Sequence, residues 1–372
     1  MKILVTNSLL RKTFDLVNIL KNRFNHNDII LVGDESISRI RLIYGNVNFH
    51  KLSTNNFHLD LNFISQKYKH ESIIYLPIEE DNTIKFYNYI EKYGQKNFKF
   101  KLPSLHTYNL ARDKNKLNIF CEAEKISCPK YYSEIDIKEK IYKLPLIVKP
   151  INGSGSKGIK YIIKENDIVF DSVNFKLNFI QELLDNPKDV QAGFFLCDQG
   201  DIISFYSHKR IRTFPERGGV SVFSKSNLNM EIRNAGSEII KKLNWSGFIM
   251  IEFLQDTVTK EYKLIEINPR IWGSILLSEF NNSDFISSYI RLCNGEKIKE
   301  VDVLIDKYIR WVFPYDVFFF LRNLQNPIRF FRKDKDTCYI NFTYASLLGS
   351  FKFIALTYFD PKKIYLKFLN GK

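Results

Sequence analysis

The sequence predicts a protein of mixed α/β and α+β class: a parallel α/β domain, then a strand-rich α+β part, then a helical, aromatic-rich extension. Three observations lead to this prediction. Residues 1–100 alternate short apolar runs with amphipathic stretches, residues 129–275 hold most of the longer strand-like runs, and residues 311–372 interleave phenylalanines with lysines and arginines. The length of 372 residues suits two or three domains. We place the domain boundaries at 1–100, 101–180, 181–300 and 301–372.

The first hundred residues have the alternating pattern of a βαβ domain. Short apolar runs predict strands, and apolar residues at helical spacing predict helices. The predicted strands are Lys2–Thr6, Ile29–Val32 and Ser72–Leu76, and the predicted helices are Thr13–Arg23 and Asn82–Tyr93. This order favours a parallel, Rossmann-like sheet. No G-x-G-x-x-G motif follows the first strand, so the sequence does not support a dinucleotide site there.

Composition restricts the cellular setting. The five cysteines are scattered and form no C-x-x-C pair, which argues against a disulfide framework or a zinc site and favours a reducing, cytoplasmic compartment. No apolar run reaches about 18 residues, so we predict no membrane-spanning helix. The net charge of +14 has two interpretations. One is a bias toward lysine along the whole chain, and the other is an anionic partner such as a nucleic acid, a membrane surface or a substrate.

A lysine at the end of an apolar strand is followed by a glycine-rich turn. The strand is Leu146–Pro150 and contains Lys149, and the turn reads Gly-Ser-Gly-Ser-Lys-Gly over Gly153–Gly158. A lysine supplies a point charge for phosphate, and glycines let backbone N–H groups approach it closely. The spacing does not match a P-loop. The alternative interpretation of the same residues is an ordinary hairpin turn.

A second apolar strand runs into acidic residues. Phe179–Asp185 places Glu182 at the end of the strand, and Asp189 follows seven residues after Glu182. One carboxylate there could accept a hydrogen bond from the amino group of adenine, and another from ribose hydroxyls. The alternative is a strand edge that faces solvent.

The most informative pattern is a pair of apolar strands that each carry a glutamate. Glu252 lies within Gly247–Phe253, and Glu266 lies within a run that continues to Asn268 and Arg270. An isolated buried carboxylate costs several kcal/mol, so strands rarely bury one without a partner. Mg²⁺ prefers hard oxygen ligands such as carboxylates and phosphates, and an arginine suits bidentate contact with a phosphoryl group. A salt-bridged hairpin is the alternative.

A basic strand precedes a Gly-Gly loop. Strand alternation predicts Lys209 and Ile211 on one face, and His208, Arg210 and Arg212 on the other. Such a strand suits an anionic substrate, although a solvated basic hairpin would have the same sequence. We interpret His208 as a structural hydrogen-bond partner rather than a catalytic base.

Taken in this order and spacing, the clusters resemble the ATP-grasp superfamily, which includes biotin carboxylase, carbamoyl phosphate synthetase and the D-alanine–D-alanine ligases. The segment from Phe179 to Gly273 is similar to the carbamoyl phosphate synthetase-like carboxylate–amine ligases. The resemblance covers residues 100–275 and implies an ATP-grasp fold, with the flap-bearing small subdomain within 101–180 and the metal-bearing subdomain within 181–300. Residues 1–100 would then be the α/β domain that usually precedes this fold.

The resemblance also implies roles for individual residues. Two lysines match the family's ATP lysines, the glycine-rich loop matches the flap over the phosphates, and the stretch from Glu182 matches the hinge that holds adenine. Asp189 is a departure, because the family usually has a glutamate at the ribose-binding position. The implied nucleotide-binding residues are Lys114, Lys149, Gly153, Ser154, Gly155, Ser156, Gly158, Glu182, Leu183, Asp185 and Asp189.

The metal and phosphoryl groups are assigned in the same way. Glu252, Glu266 and Asn268 match the ligands of Mg²⁺ (or Mn²⁺), and Arg270 matches the arginine that stabilises the transferring phosphoryl group. Lys209, Arg210 and Arg212 would face substrate or phosphate, and of these Lys209 and Arg212 would act with Arg270 as catalytic residues.

The implied activity is that of an ADP-forming, amide-forming ligase. ATP would phosphorylate a small carboxylate, and an amine would attack the resulting acyl phosphate, in cell-surface polysaccharide or natural-product biosynthesis. Positioning and charge neutralisation are enough for phosphoryl transfer, so no protein nucleophile is needed. An ATP-grasp kinase for a small molecule and a non-catalytic nucleotide-binding module are the alternatives.

The C-terminal extension does not fit the ATP-grasp core. Basic residues and phenylalanines alternate from Trp311 to Lys372. Such a segment could pack as a helical cap on the core, or it could lie on an anionic membrane at the inner face of the cell membrane. No recognisable nucleic-acid module is present, so nucleic acid is not the expected partner.

Overall fold

The computed structural model describes most of the chain between residues 1 and 358. The described ranges are 1–53, 56–151, 158–167, 173–184, 190–214, 220–280, 284–299, 301–302, 307–312, 316–323, 326–331, 336–340 and 347–358.

The N-terminal part is a parallel sheet covered by helices. The described strands run in the order β3-β2-β1-β4-β5, and every pair in this sheet is parallel. The strands are β1 (Lys2–Val5), β2 (Ile29–Gly33), β3 (Asn48–Lys51), β4 (Ile73–Leu76) and β5 (Phe98–Lys99). The helices are α1 (Arg11–Lys21), α2 (Ile37–Tyr44), α3 (Phe57–Lys67) and α4 (Glu80–Tyr93), with a short 3-10 helix at His26–Asp28. The predicted parallel α/β architecture is confirmed.

The apolar runs of these strands explain their burial on both faces. Along β1, Ile3 and Val5 face a core that is shared with the large sheet, while Leu4 faces the opposite side, toward α3 and α4. A parallel sheet with helices on both faces needs such continuous apolar strands. The loops that follow β1 and β4 therefore meet at the carboxyl edge of the sheet, next to the rest of the chain.

A small antiparallel sheet follows two connecting helices. Its strand order is β6-β9-β7-β8. The connecting helices are α5 (Leu105–Arg112) and α6 (Lys114–Ala123). The sheet consists of β6 (Tyr131–Tyr132), β7 (Leu146–Pro150), β8 (Lys160–Ile162) and β9 (Asn178–Glu182), with α7 (Glu134–Lys138) and a 3-10 helix at Glu165–Asp167 beside it.

The largest sheet has the strand order β14-β13-β10-β11-β12-β16-β17, with β15 pairing to β11. Its long strands are β10 (Gln191–Asp198), β11 (Asp201–Phe214), β12 (Val220–Asn227), β13 (Gly247–Gln255) and β14 (Tyr262–Asn268). The short ones are β15 (Val301–Asp302), β16 (Tyr308–Trp311) and β17 (Thr337–Ile340). The helices next in sequence to these strands are α8 (Met230–Lys242), α9 (Ile275–Phe280) and α10 (Phe285–Cys293). One face packs on α8, and the other packs on the N-terminal part.

The C-terminal extension contains strands as well as the expected helices. The helices are α11 (Val317–Asn323), α12 (Pro327–Phe331) and α13 (Leu347–Tyr358). Short strands β16 and β17 add to the edge of the large sheet, so the purely helical description of this region was incomplete. Helix α13 covers α1, where the Phe353 and Phe14 rings stack 4.6 Å apart. Among the described helices, none has the length and apolar character needed to cross a lipid bilayer.

Candidate active site

Two glutamates face each other across neighbouring strands of the large sheet. Glu252 on β13 is the register partner of Glu266 on β14, and Asn268 pairs with Met250 on the same two strands. Directly opposed residues of an antiparallel pair project from the same face, so the two carboxylates lie side by side. Like charges at this spacing repel, and the arrangement needs cations nearby to be stable.

The protein supplies those cations from distant parts of the chain. Arg210 on β11 donates from Nη2 to Oε1 of Glu252. Lys114 places its Nζ 3.6 Å from Oε2 of Glu266. Lys114 is the first residue of α6, and the N-cap residue Asp113 fixes that helix start by accepting from the backbone of Asn115 and Lys116 at 3.0 Å. The first predicted ATP lysine is thus brought to the glutamate pair.

Asn268 joins Glu266 to Arg270. Its Nδ2 donates to Oε1 of Glu266 at 3.0 Å, and its Oδ1 accepts from Nη2 of Arg270 at 3.0 Å. A carboxylate only accepts and a guanidinium only donates, so these partners fix which way the amide points. The carboxylate, the amide and the guanidinium therefore form one ordered row along the end of β14.

Lys149, the second predicted ATP lysine, is buried on β7 of the small sheet. Its Nζ donates to Oε1 of Gln181 on β9 at 2.9 Å. Burial lowers the pKa of Lys149 to about 8, although Glu266 and, more weakly, Glu252 favour its charged form, with Lys114 acting in the other direction. The lysine is therefore mostly protonated at neutral pH but close to its titration range.

The two glutamates differ in their electrostatic state. Burial raises the pKa of Glu252, and the neighbouring Glu266 adds to that rise, while Arg210 opposes it. For Glu266, burial acts in the same direction, but Lys114, the Asn268 hydrogen bond and Lys149 outweigh it and lower the pKa. Glu266 is accordingly the more firmly ionised member of the pair.

The donor set suits a hard divalent cation. Mg²⁺ usually takes one or two protein carboxylates and completes its shell with substrate phosphates and water. Glu252 and Glu266 supply two carboxylates, and the buried Glu252, whose pKa is raised, would gain from a cation beside it. Within the described residues, no group of three or more His, Cys, Asp or Glu side chains is placed to hold a metal. The pair fits a metal that is held jointly by the protein and a nucleotide.

The predicted adenine hinge is tied to β14, the strand that carries Glu266. The carboxylate of Glu182 accepts from the backbone N–H of Lys130 at 3.0 Å and from Nζ of Lys263 at 2.9 Å. Lys263 lies on β14, three residues before Glu266. Leu183 donates its N–H to the carbonyl of Pro145 at 2.9 Å. The hinge backbone and the metal-site strand are therefore held in fixed relation.

Several predicted nucleotide contacts lie outside the described residues, namely Gly153, Ser154, Gly155, Ser156, Asp185 and Asp189. Gly158, at the end of the same loop, is described. Its φ of +76° favours glycine, and a Cβ there would lie 3.0 Å from Cγ of Pro150. The chain thus turns sharply where the loop rejoins the sheet.

Three basic residues of β11 are predicted to face substrate or phosphate, and Arg210 is brought to the glutamate pair. Lys209 is exposed and pairs with Gln191 and Lys225, on the face opposite to Glu252. Arg210 points to Glu252, as strand alternation predicts. Arg212 does not point to Glu252, because the register with β12 shifts between Arg210 and Arg212. A second shift follows between Arg212 and Thr213, so Arg212 lies in a locally irregular part of the strand pair where simple alternation does not hold.

Arg212 instead binds the C-terminal extension. Its Nε and Nη2 donate to the two oxygens of Asp316 at 3.0 and 3.1 Å, and its guanidinium lies over the rings of Phe223 and Phe330 at 4.7 and 4.8 Å. Asp316 is fully buried and also accepts from Nε of Arg310 at 2.5 Å. Within the described residues neither Lys209 nor Arg212 is brought to the glutamate pair, and the role predicted for them toward substrate or phosphate stays a prediction.

His208 is buried beside the site without acting as a hydrogen-bond partner through Nδ1. Its ring meets Phe194 edge-on at 4.6 Å, and within the described part of the chain Nδ1 has no hydrogen-bond partner. Burial and the charge of Arg210 lower the pKa of His208 to about 3. The imidazole is therefore neutral at physiological pH, and it packs rather than bonds.

Some residues of the site were not singled out from the sequence. Gln181 precedes the predicted hinge, and its polar side chain inside an apolar strand was a usable signal. Glu80 contacts Arg270 from the N-terminal part, and nothing in its local sequence marks it.

Comparison with known proteins agrees with this geometry. Residues 111–274 match the family model of an ATP-grasp domain. The biotin carboxylase of Campylobacter jejuni, solved as an ATP-analogue complex, superposes with a TM-score of 0.63 at 16% identity, covering 80% of this chain and 72% of that one. The N5-carboxyaminoimidazole ribonucleotide synthetase of Thermotoga maritima gives 0.58 at 14% identity, covering 82% and 79%. Likeness at these identities is likeness of fold.

Curated relatives show the same domain within much longer proteins. Pyruvate carboxylase of Schizosaccharomyces pombe is 26% identical over 195 residues, which is 48% of this chain but only 16% of the yeast protein. The biotin carboxylase domain of the Hydrogenobacter thermophilus 2-oxoglutarate carboxylase, solved with MgADP and bicarbonate, has a TM-score of 0.64 at 14% identity, covering 82% of this chain and 73% of that one. Residues 111–274 accordingly match an ATP-grasp domain, and the predicted ATP-grasp fold with a preceding parallel α/β domain is confirmed.

Proposed function

We propose that this protein is an ATP-dependent carboxylate–amine ligase that forms an amide and releases ADP, with an acyl phosphate as its intermediate. The observation that carries the proposal is the row of Glu252, Glu266, Asn268 and Arg270, which faces one lysine from helix α6 and another from strand β7. A fold that only held a nucleotide would not need a buried glutamate pair together with a fixed arginine.

Each residue of the candidate site would have a separate role in phosphoryl transfer. Lys114 and Lys149 would hold the nucleotide phosphates, and the hinge at Glu182 and Leu183 would hold adenine. Mg²⁺ (or Mn²⁺) on the glutamates would neutralise phosphate charge. Arg270 would face the transferring phosphoryl group, where a fixed guanidinium stabilises charge that develops in the transition state. Arg210, through Glu252, would keep the carboxylate pair in place.

One experiment tests the proposal directly. The full chain is incubated with ATP, Mg²⁺ and pooled carboxylates and amines, and products are read by mass spectrometry. Ligation gives a product that has lost the elements of water, together with ADP and free phosphate. A phosphorylated product without free phosphate would identify the alternative, a small-molecule kinase. Absence of both ADP and MgATP binding would contradict the proposal.

We also propose that the C-terminal extension contacts an anionic membrane, which would place the protein at the inner face of the cell membrane and suit a cell-surface polysaccharide or natural-product pathway. The supporting observation is the exposure of apolar side chains on α11 and α12: Leu321 is 58% exposed and Ile328 is 83% exposed, beside Arg322. Flotation with vesicles of anionic and of neutral lipid tests this proposal. Binding to neither kind, or equal binding to both at low salt, would remove it.

A further inference from the structure

The side chain of Arg270 is held from the N-terminal part of the chain. Oε1 of Glu80 forms an ion pair with Nε of Arg270 at 3.4 Å, while Asn268 accepts from Nη2 and the carbonyl of Ile271 accepts from Nη1 at 3.4 Å. Glu80 is the first residue of α4 and follows the carboxyl end of β4. Two separate elements, β14 through Asn268 and α4 through Glu80, thus fix the same guanidinium.

The backbone next to Arg270 is held by the same loop. Ile271 donates its N–H to the carbonyl of Pro77 at 2.9 Å, and its own carbonyl accepts from Nζ of Lys12 at 3.2 Å. Lys12 also lies 2.6 Å from Oε1 of Glu79, and its side chain is 8% exposed. The loop after β4 therefore positions both the side chain and the backbone at this point.

Glu80 has a second partner on the nucleotide side. Its Oε2 accepts from Nε of Arg112 at 3.2 Å. Arg112 ends α5, two residues before Lys114. The carboxylate of Glu80 thus links two segments: the connection between α5 and α6, which carries Lys114, and the end of β14, which is followed by Arg270. The neighbouring Asp81 also binds Arg112, at 3.1 Å from Nη2, but its side chain is 85% exposed and, within the described residues, it does not contact Arg270.

We infer that Glu80 is a positioning residue for phosphoryl transfer. It holds the Arg270 guanidinium in a fixed position relative to the glutamate pair and to the α5–α6 connection, which carries Lys114. This inference rests on the proposed role of Arg270. A guanidinium held at Nε by Glu80 and at Nη2 by Asn268 loses little freedom when charge develops beside it, which is the condition for efficient electrostatic stabilisation. Without Glu80 the arginine would still carry its charge but would sample other orientations.

Two readouts on the full chain test the inference, with Asp81→Asn as the matched control. The first is the Nε–H resonance of Arg270 in nitrogen-15-labelled protein, assigned by its loss in Arg270→Lys. Glu80→Gln should shift this resonance and speed its exchange with water, Glu80→Asp should restore part of the protection, and Asp81→Asn should leave it unchanged. An unchanged resonance in Glu80→Gln would overturn the inference.

The second readout is ADP formation with ATP, Mg²⁺ and the carboxylate and amine pool. Glu80→Gln should lower kcat about 10- to 100-fold while the KM for ATP stays near that of the wild type, because the lysines still hold the nucleotide. A normal kcat in Glu80→Gln would overturn the positioning role. A wild-type protein that forms no ADP would count against the proposed function alone, since the resonance still decides whether Glu80 fixes Arg270.

Discussion

Glu252 and Glu266 are register partners on β13 and β14, and each is met by a cation from a different part of the chain, Arg210 for Glu252 and Lys114 for Glu266. Two carboxylates on directly paired residues repel each other, so the pair is unfavourable on its own. Its stability therefore depends on these cations, and its natural complement is a further positive charge such as a metal ion.

Replacing Glu266 with Gln should lower ADP formation by about 100-fold or more, because the firmly ionised member of the pair would be lost. The fold should remain, since Gln keeps the shape and relieves repulsion with Glu252. ADP release and thermal unfolding of the same sample measure the two effects. Glu238→Gln, an exposed carboxylate on α8, serves as the control. Full activity in Glu266→Gln would remove this residue from the site.

Replacing Arg270 with Lys should reduce kcat about 100-fold or more with little change in nucleotide affinity. Lysine keeps the positive charge but has no planar fork, so it cannot contact Asn268, Glu80 and a phosphoryl group together. Steady-state ADP formation and MgADP titration separate the two effects. Arg291→Lys on α10, which alters an exposed arginine, should behave as the wild type. If Arg270→Lys lost nucleotide affinity and kept kcat, a ground-state role would replace the proposed one.

Binding of MgATP should take up protons near pH 8. Burial sets the pKa of Lys149 at about 8, so part of the population is neutral there, and a bound phosphate favours the protonated form. Affinity should accordingly fall as pH rises through 8. Calorimetry in two buffers with different heats of ionisation measures the uptake. Lys149→Arg should abolish it, because an arginine stays charged at this pH. Equal heats in both buffers for the wild type would show that Lys149 does not titrate with nucleotide.

Acid should destabilise the fold partly through His208. Its folded-state pKa of about 3 lies below the ordinary 6.5, so the unfolded chain binds the extra proton first. Stability is then lost as pH falls below 6.5, by up to about 1.4 kcal/mol per pH unit from this one group. Denaturant unfolding of the wild type and of His208→Asn between pH 7 and about 5 should show a shallower slope in the variant. Parallel slopes would mean that His208 is not neutral and buried in solution.

A feature of the fold or of the site can be predicted from the sequence when a local pattern of residues marks it. The glutamates, Asn268 and Arg270 stand out because carboxylates inside apolar strands are costly, and the parallel sheet follows from short apolar runs between amphipathic stretches. Contacts between segments that are distant in the chain are not indicated by any local sequence pattern. The pairing of Lys114 with Glu266 joins residues about 150 positions apart, and Glu80 reaches Arg270 across a larger gap. The register shifts around Arg212 in β11 also have no local sequence signal, and Arg212 contacts Asp316 rather than the glutamate pair.

The contact of Arg212 with Asp316 leads to a last prediction, which separates a structural from a catalytic role for Arg212. Asp316 is fully buried and receives both Arg212 and Arg310, so Asp316→Asn would remove a buried negative charge that two largely buried cations share. Breaking a buried ion pair in this way costs about 3–5 kcal/mol. Thermal unfolding should therefore occur at clearly lower temperature. MgATP affinity, measured well below the unfolding transition, should remain within about two-fold of the wild type, because neither arginine contacts Glu252 or Glu266 in the described structure. A loss of nucleotide affinity without a loss of stability would return Arg212 to the active site.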